Sequence, residues 1–263
     1  MNPKPISNSR LTLLRKLHQK KYRQQEQLFL VEGGRAVEQI IKNDQLSIQE
    51  LFFDAAQNYW KQAQWKTAAV TIDFSSVEAS NFAEISDTDN PQGVVALCGM
   101  PAELPPEQMA DQTGLVLATD AIQDPGNLGT IIRTASWFGV KGLLSGKGTV
   151  DLFHPKVVRS TAGATGTVPH ANVELKEALS IFEKKGWQIV LLDSSSESIP
   201  LKEVKRQEKT LIIVGNEANG IDQSLVGSDR LKARIASPRK GGNVESLNAA
   251  IATSIALYAF CKG

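Results

Sequence analysis

The first residues whose types could do chemistry lie in a strand–turn–helix segment. Leu115 to Ala118 is a short apolar run typical of a buried strand, and turn-forming Asp124-Pro125-Gly126 follows it. Asn127 is placed as a helix N-cap, and Arg133 lies about two turns into the predicted helix. Ligands of open α/β sheets bind beyond the carboxyl ends of strands. The segment therefore predicts a ligand site, or else only a capped helix with a solvated arginine.

A second strand ends in Gly215-Asn216-Glu217, with Gly220 just beyond. Gly215 would permit close approach of the backbone to a ligand, since glycine has no Cβ. Glu217 would sit at a strand end, as a buried or ion-paired carboxylate. The ordinary alternative is that Glu217 is a helix-cap acid near Ile221.

A third segment runs from a basic, glycine-bearing loop into a helix. Ser246 and Asn248 fall in the first turn of that helix, whose apolar face includes Leu247 and Ile251. Side chains of these types cap helices, so this segment alone favours capping over chemistry.

The elements that must position these residues alternate between strand and helix, which favours an α/β fold. We predict a small N-terminal α/β domain over residues 1–98, a proline-containing linker over 99–113 and a parallel-sheet domain over 114–263. The predicted strands cover residues 28–31, 50–54, 68–74, 93–98, 115–119, 140–145, 187–192, 210–214 and 231–236. The predicted helices cover residues 35–42, 76–85, 127–138, 155–162, 174–185 and 245–260.

The first thirty residues concentrate positive charge. They hold seven Lys or Arg and one acid, a net +6, so the remainder sums to −5 because the whole chain is +1. Basic residues on an amphipathic helix could bind RNA phosphates, and an aromatic ring could stack on an exposed base. The alternative is a solvated terminal helix. The predicted RNA contacts here are Arg10, Lys16, Lys20, Lys21, Tyr22 and Arg23.

Composition excludes several other classes. The two cysteines, Cys98 and Cys261, are far apart, which argues against a disulfide and fits a reducing compartment. The three histidines have no metal-ligand spacing, so no metal site is expected. No apolar run has membrane-spanning length and the N-terminus is no secretory signal, so we expect a cytoplasmic protein.

Together the three segments resemble the SpoU-type (TrmH-like) members of the SPOUT class of RNA methyltransferases. The matching motifs are Asp124 to Gly129 with Arg133, Gly215-Asn216-Glu217 with Gly220, and Glu245-Ser246-Leu247-Asn248. The segment His154 to Ala164, which contains Arg159, looks like the family's connecting helix. Residues 21–33 resemble its ribosomal-protein-like substrate-binding domain. The resemblance covers nearly the whole chain.

This resemblance implies a deep trefoil knot in the C-terminal domain, S-adenosylmethionine as methyl donor, active sites at a homodimer interface, and transfer to a ribose 2′-hydroxyl. The separate N-terminal domain favours rRNA over tRNA. The implied catalytic residues are Asn127, Arg133, Glu217, Ser246 and Asn248; the cofactor residues are Gly215, Asn216, Ile235 and Leu247; and Arg159 joins the RNA contacts.

The implied roles follow from side-chain chemistry. Arg133 would act as an electrostatic clamp on the substrate, because a guanidinium with a pKa above about 12 is a poor base. Asn127 and Asn248 would orient groups by hydrogen bonding, and Glu217 would fix Arg133 or a loop amide. The segment 235–242 is longer and more basic than the family's usual turn, so Arg239 and Lys240 could instead reach RNA.

Two other functions stay open on the residues alone. One is an RNA-binding protein that keeps the fold without catalysis, although all five catalytic candidates are present. The other is a dinucleotide oxidoreductase, which the chain disfavours because no Gly-x-Gly-x-x-Gly follows a strand.

Overall fold

A computed structural model describes residues 3–62, 65, 71–88, 90–237 and 246–261. The chain divides into two compact units. The first comprises Met1–Ala102 with Asp151–Thr167, and the second comprises Glu103–Val150 with Val168–Gly263. The predicted domains differ from these units in one segment, because Asp151–Thr167 groups with the first unit.

The first unit is built on a mixed sheet. In chain order its elements up to Ala102 are β1 Lys4–Pro5, α1 Asn8–Lys16, α2 Lys20–Glu26, β2 Leu28–Glu32, α3 Gly34–Asn43, β3 Ile48–Asp54, β4 Asp73–Val77, α4 Ala79–Ile85 and β5 Val94–Gly99. Within the described residues the strand order is β1-β4-β3-β5-β2. β4 is parallel to β1 and β3, whereas β5 is antiparallel to β3 and β2.

The second unit holds a sheet in which all described strands are parallel. The elements that follow β5 are α5 Pro106–Ala110, β6 Gly114–Thr119, α6 Pro125–Trp137, β7 Gly142–Gly146, α7 Pro155–Ser160, β8 His170–Val173, α8 Leu175–Lys184, β9 Gln188–Leu192, β10 Ile199–Pro200, β11 Lys209–Val214, β12 Leu231–Arg234 and α9 Ala249–Cys261. Of these, α7 belongs to the first unit. The strand order is β10-β12-β9-β11-β6-β7-β8, each pair parallel. The predicted parallel α/β architecture is confirmed.

The order of strands decides where the motifs meet. β6 and β11 are neighbours, with Thr119 opposite Val214 at their carboxyl ends. Their central residues are fully buried, as expected of parallel strands covered on both faces. Because the first two motif segments leave the sheet side by side at this edge, contact between them follows from the sheet topology.

Several predicted elements need correction. The predicted basic helix is two helices, α1 and α2, because Gln19 between them is extended (φ −96°, ψ 131°). The predicted linker contains α5, whose Met109 and Ala110 are fully buried in the core of the second unit. The short strands β1, β8 and β10 were not predicted. The predicted strand 68–74 is Asp73–Val77 in the structure, and residues 68–70 lie outside the described residues.

Candidate active site

Asp124, and not Asn127, caps α6. The Asp124 side chain accepts a hydrogen bond from the backbone N–H of Asn127 over 2.7 Å, and Pro125 occupies the first helical position. Proline suits this position because its missing N–H would be unpaired there in any case. The prediction of Asn127 as the cap was wrong, and the correction leaves the Asn127 side chain available for contacts outside its own helix.

Asn127 connects the three motif segments. Its Nδ2 donates to Oε1 of Glu217 over 2.9 Å, and its Oδ1 accepts from Nδ2 of Asn248 over 2.8 Å. Both partners are far away in sequence. One amide side chain therefore joins the turn after β6, the loop after β11 and the start of α9.

Glu217 is held as a carboxylate. Partial burial opposes its ionisation, but hydrogen bonds from the Asn127 side chain and from the backbone N–H groups of Glu217, Gln123 and Asp124 outweigh that effect and lower the pKa of the carboxyl. It does not fix Arg133, one of the two roles expected of it; it binds the Asn127 amide and loop N–H groups instead. The alternative of Glu217 as a helix cap is also wrong, since Asp222 caps the short helix Gln223–Leu225.

The loop after β11 is fastened by Asn216. Its Nδ2 donates to the carbonyl of Ala121 over 2.8 Å, and its Oδ1 accepts from the N–H groups of Ala218 and Asn219. Asn216 and Gly220 also exchange two backbone hydrogen bonds of 2.9 Å. Asn216 therefore shapes the loop that presents Glu217, in addition to its predicted place near a cofactor.

Gly215 is required by the fold of that same loop. A Cβ at Gly215 would lie 2.3 Å from the carbonyl carbon of Gly220 and 2.4 Å from the nitrogen of Ile221. The close approach expected at this glycine is thus made by the returning chain itself.

Asn248 caps α9 and also contacts Asn127. Its Oδ1 accepts from the N–H groups of Ala250 and Ile251 at 2.9 and 3.2 Å, while its amide donates to Asn127. The cap, which the sequence favoured over chemistry, therefore does not prevent Asn248 from contacting another motif segment. Ser246 and Leu247 are exposed immediately before it, whereas Glu245, Arg239 and Lys240 lie outside the described residues.

Arg133 lies on the exposed face of α6. In the part of the chain that the structure describes, it forms no ion pair, so its guanidinium is open to a ligand. Arg133 and Asn127 both lie on α6, six positions apart. The Asp124 side chain caps the amino-terminal end of this helix. Ile235, the remaining predicted cofactor residue, is half-buried directly after β12.

The predicted RNA contacts of the first unit separate into paired and unpaired cations. Arg23 is 1% exposed, pairs with Asp151 over 2.5 Å and donates to the carbonyls of Leu17 and His18. Its side chain therefore stabilises the interior of the first unit, which corrects its prediction as an RNA contact. Arg10 pairs with Glu50, and Arg159 pairs with Asp87 over 2.8 Å.

The lysines of the same region behave differently. Lys16, Lys20 and Lys21 are exposed, and none forms an ion pair with any described residue. The ammonium groups of Lys16 and Lys21 lie 5.4 and 5.8 Å from the ring centroid of half-buried Tyr22. These four residues form a surface that we call the lysine–tyrosine patch.

Sequence reasoning missed Asp124. The signal was present, because an Asp directly before a proline is itself a helix-start pattern. Among the described residues, no group of three or more His, Cys, Asp or Glu side chains could hold a metal ion. No helix in those ranges is both long and apolar enough to cross a membrane.

Comparisons with known proteins match this architecture along its length. Residues 114–258 match the SpoU rRNA Methylase family, and residues 8–96 match the MRM3-like substrate binding domain. The chain is 31% identical over 251 residues to the 23S rRNA (guanosine(2553)-2′-O)-methyltransferase RlmP of Bacillus subtilis, covering 95% of each chain.

Two further relatives agree. The 23S rRNA (guanosine-2′-O-)-methyltransferase RlmB of Ralstonia nicotianae is 26% identical, with 87% of this chain and 93% of that protein covered. The AdoMet-bound rRNA methyltransferase from Sinorhizobium meliloti is 29% identical and superimposes with a TM-score of 0.82, covering 98% of this chain and 96% of that one. Since the family match spans more than half of the sequence and includes all three motif segments, the chain is an RNA methyltransferase and belongs to the SpoU rRNA methylase family.

Proposed function

We propose that this chain transfers the methyl group of S-adenosylmethionine to a ribose 2′-hydroxyl in large-subunit ribosomal RNA. The observation that carries the proposal is a pair of hydrogen bonds, one that Asn127 donates to Glu217 and one that it accepts from Asn248, which gathers the three motif segments around one amide. The names of the relatives from Bacillus subtilis and Ralstonia nicotianae support the ribose 2′-hydroxyl of 23S rRNA as the acceptor.

Residues after β11, after β12 and before α9 would suit an adenosine-containing donor. Ile235 and Leu247 offer apolar side chains that are half-buried or exposed after β12 and before α9, and the loop 215–220 offers backbone polar groups. The Sinorhizobium meliloti relative is described as AdoMet-bound, which supports the same ligand here. When bound, S-adenosylmethionine supplies a methyl group already activated by its sulfonium.

The protein must then position a poor nucleophile. Arg133, exposed and without an ion pair among the described residues, would clamp the RNA phosphate beside the acceptor ribose by a bidentate contact. A guanidinium stays protonated at neutral pH, so it would stabilise charge developing on the 2′-oxygen and would not remove the proton. Ser246, exposed two positions before Asn248, would orient the ribose.

We also propose that the enzyme works as a homodimer. α6 and α9 pack together, and large apolar side chains are exposed on both helices and just before α9. Trp137 is 85% exposed, and the other members are Leu247, Ile251, Ile255 and Tyr258. Several exposed large apolar side chains on two packed helices are typical of a protein interface. We propose that a second copy of this chain covers the exposed apolar side chains, since the family resemblance implies active sites at a homodimer interface. The second copy would then add residues to the site.

The lysine–tyrosine patch is proposed as the RNA contact of the first unit. Arg10, Arg23 and Arg159 are neutralised by acids, so the attraction to phosphate falls to Lys16, Lys20 and Lys21. Tyr22, flanked by two ammonium groups, would stack on an unpaired base. We propose in addition that the second unit contains a deep trefoil knot and that the protein is cytoplasmic.

The direct test incubates purified protein with methyl-labelled S-adenosylmethionine and ribosomal RNA, then maps 2′-O-methylated nucleotides. We expect label in large-subunit RNA at a ribose, and none with Arg133→Ala. Label on a base, or only in tRNA, would contradict the proposal. No label with intact RNA affinity would favour the non-catalytic RNA-binding alternative.

A further inference from the structure

A buried carboxylate in the turn after β6 has no part in the proposed chemistry. Asp120 follows β6 directly and is only 9% exposed. Its backbone N–H donates to the carbonyl of Val214 over 2.8 Å, which extends the pairing of β6 with β11 by one residue. Its Oδ2 accepts from the N–H of Asp222 over 2.7 Å.

These contacts place Asp120 at the far end of the loop that carries Glu217. The loop leaves β11 at Asn216, whose side chain binds the carbonyl of Ala121. It returns at Asp222, whose N–H binds Asp120. Both ends of the loop are thus hydrogen-bonded to two consecutive residues of the turn after β6. Glu217 lies between these two hydrogen-bonded positions in the sequence.

Burial of a charged carboxylate at this position is energetically unfavourable. Burial raises the pKa of Asp120, the hydrogen bond from the Asp222 backbone lowers it, and the nearby acids Asp222 and Glu174 raise it further. A neutral acceptor would satisfy the same N–H without bringing a charge into a buried and acidic corner. The charged acceptor does provide a stronger hydrogen bond, and hence a more firmly fixed loop.

We propose that Asp120 is a positioning residue for methyl transfer, which fixes the return of the 216–222 loop and thereby holds Glu217 against Asn127. The functional part of this inference rests on the proposed function. The structural part does not, because the order of the loop can be measured in the absence of substrate.

The first test measures amide hydrogen exchange of residues 216–222 in the full chain. Asp120→Ala should raise their exchange on the order of tenfold, the change expected from loss of a charge-assisted hydrogen bond. The matched control is Asp222→Asn, which removes a carboxylate from the same corner but keeps the backbone N–H and a cap for Ser224. It should leave the exchange unchanged. Unchanged exchange in Asp120→Ala would overturn the proposal.

The second test asks whether Asp120 acts through Glu217. Methyl-transfer kcat is measured for Asp120→Asn, Glu217→Gln and the double variant, with melting temperatures alongside. Asp120→Asn keeps the shape and should fold even if Asp120→Ala does not, since it removes a buried charge. We expect kcat to fall in each single variant, and the double variant to stay within about twofold of Glu217→Gln, because coupled residues are not additive.

Losses that add in the double variant, or an unchanged kcat in Asp120→Asn, would overturn the inference. A wild-type chain that transfers no methyl group would instead remove the proposed function. The exchange measurement would then decide the role of Asp120 in ordering the loop by itself.

Discussion

Asn248 donates a hydrogen bond from Nδ2 to Oδ1 of Asn127 over 2.8 Å, across 121 positions of sequence. Because the Oδ1 of Asn127 accepts this bond, its Nδ2 is oriented toward Glu217, to which it donates. The three side chains thus form a directed chain of hydrogen bonds in which the cap of α9 fixes the amide orientation of Asn127. Loss of one member should disturb the others.

Asn127→Ala removes both bonds and should lower kcat for methyl transfer on the order of 100-fold, the cost typical of a misplaced catalytic group. The measurement is steady-state transfer of labelled methyl to RNA, with melting temperature as a check on folding. A variant with unchanged kcat would show that the hydrogen-bond chain is not needed for catalysis.

Asn248→Asp is the matched variant for the Asn248 end of this hydrogen-bond chain. The aspartate keeps an oxygen to cap Ala250 and Ile251 but cannot donate to Asn127. We therefore expect stability near that of the wild type with a reduced kcat, while Asn248→Ala should also lose about 1 kcal/mol of stability with the cap. Equal kcat in the wild type and Asn248→Asp would contradict this reasoning.

The sequence predicted the framework of this site better than its internal contacts. Periodicity and strand length placed β6, β11 and their helices, because parallel buried strands have a strong apolar signature. The cap was wrong because Asp124 and Asn127 both suit that role, and only the proline between them distinguishes the two. The pairing of Arg23 with Asp151 could not be predicted, since it depends on a segment distant in sequence joining the first unit.

The ionised form of Glu217 should contribute to stability in a pH-dependent way. Its pKa in the folded chain is lowered, so its stabilising effect is fully present above the unfolded-chain value of about 4.3 and is lost as pH falls through the folded value. The difference in unfolding free energy between wild type and Glu217→Gln should therefore be larger at pH 7 than at pH 3. Urea denaturation at the two pH values measures it.

The same comparison in an Asn127→Ala background provides the control. Asn127 donates one of the hydrogen bonds that lower the Glu217 pKa, so its removal should shrink the pH dependence. A pH dependence that is reversed in sign, or equally large without Asn127, would refute the assigned cause.

Arg23 and Lys20 lie on the same helix, α2, but mutation of Arg23 should affect stability and mutation of Lys20 should affect RNA binding. Arg23→Met leaves Asp151 partly buried without its partner and should cost about 3–5 kcal/mol of unfolding free energy. Lys20→Met, at an exposed position, should change stability by less than about 0.5 kcal/mol. It should weaken RNA binding and reduce the salt slope of the affinity by about 1. Chemical denaturation and RNA titration at several salt concentrations test both, and an unchanged slope would exclude Lys20 from the RNA interface.

The apolar face of α6 and α9 should hold two copies together. Ile251→Glu places a charge within the exposed apolar set and should convert a dimer to a monomer in analytical ultracentrifugation. Stability of the isolated chain should change little, because Ile251 is half exposed. Lys141→Glu, at an exposed position directly before β7, is the control and should leave the association state unchanged. A wild-type chain that sediments as a monomer at micromolar concentration would contradict the proposed dimer.

The fact that Asp151–Thr167 belongs to the first unit has a consequence for protein engineering. Phe153 packs on Phe29, Asn43 donates to the carbonyl of Gly163, and Asp151 holds Arg23, so this segment is part of the interior of the first unit. Truncation after Ala102 should not yield two fragments that each fold independently, because the carboxyl-terminal fragment would contain Asp151–Thr167, which belongs to the core of the first unit. Chimeric enzymes that exchange substrate specificity between relatives should therefore swap two stretches of the gene together, the leading one and this internal one.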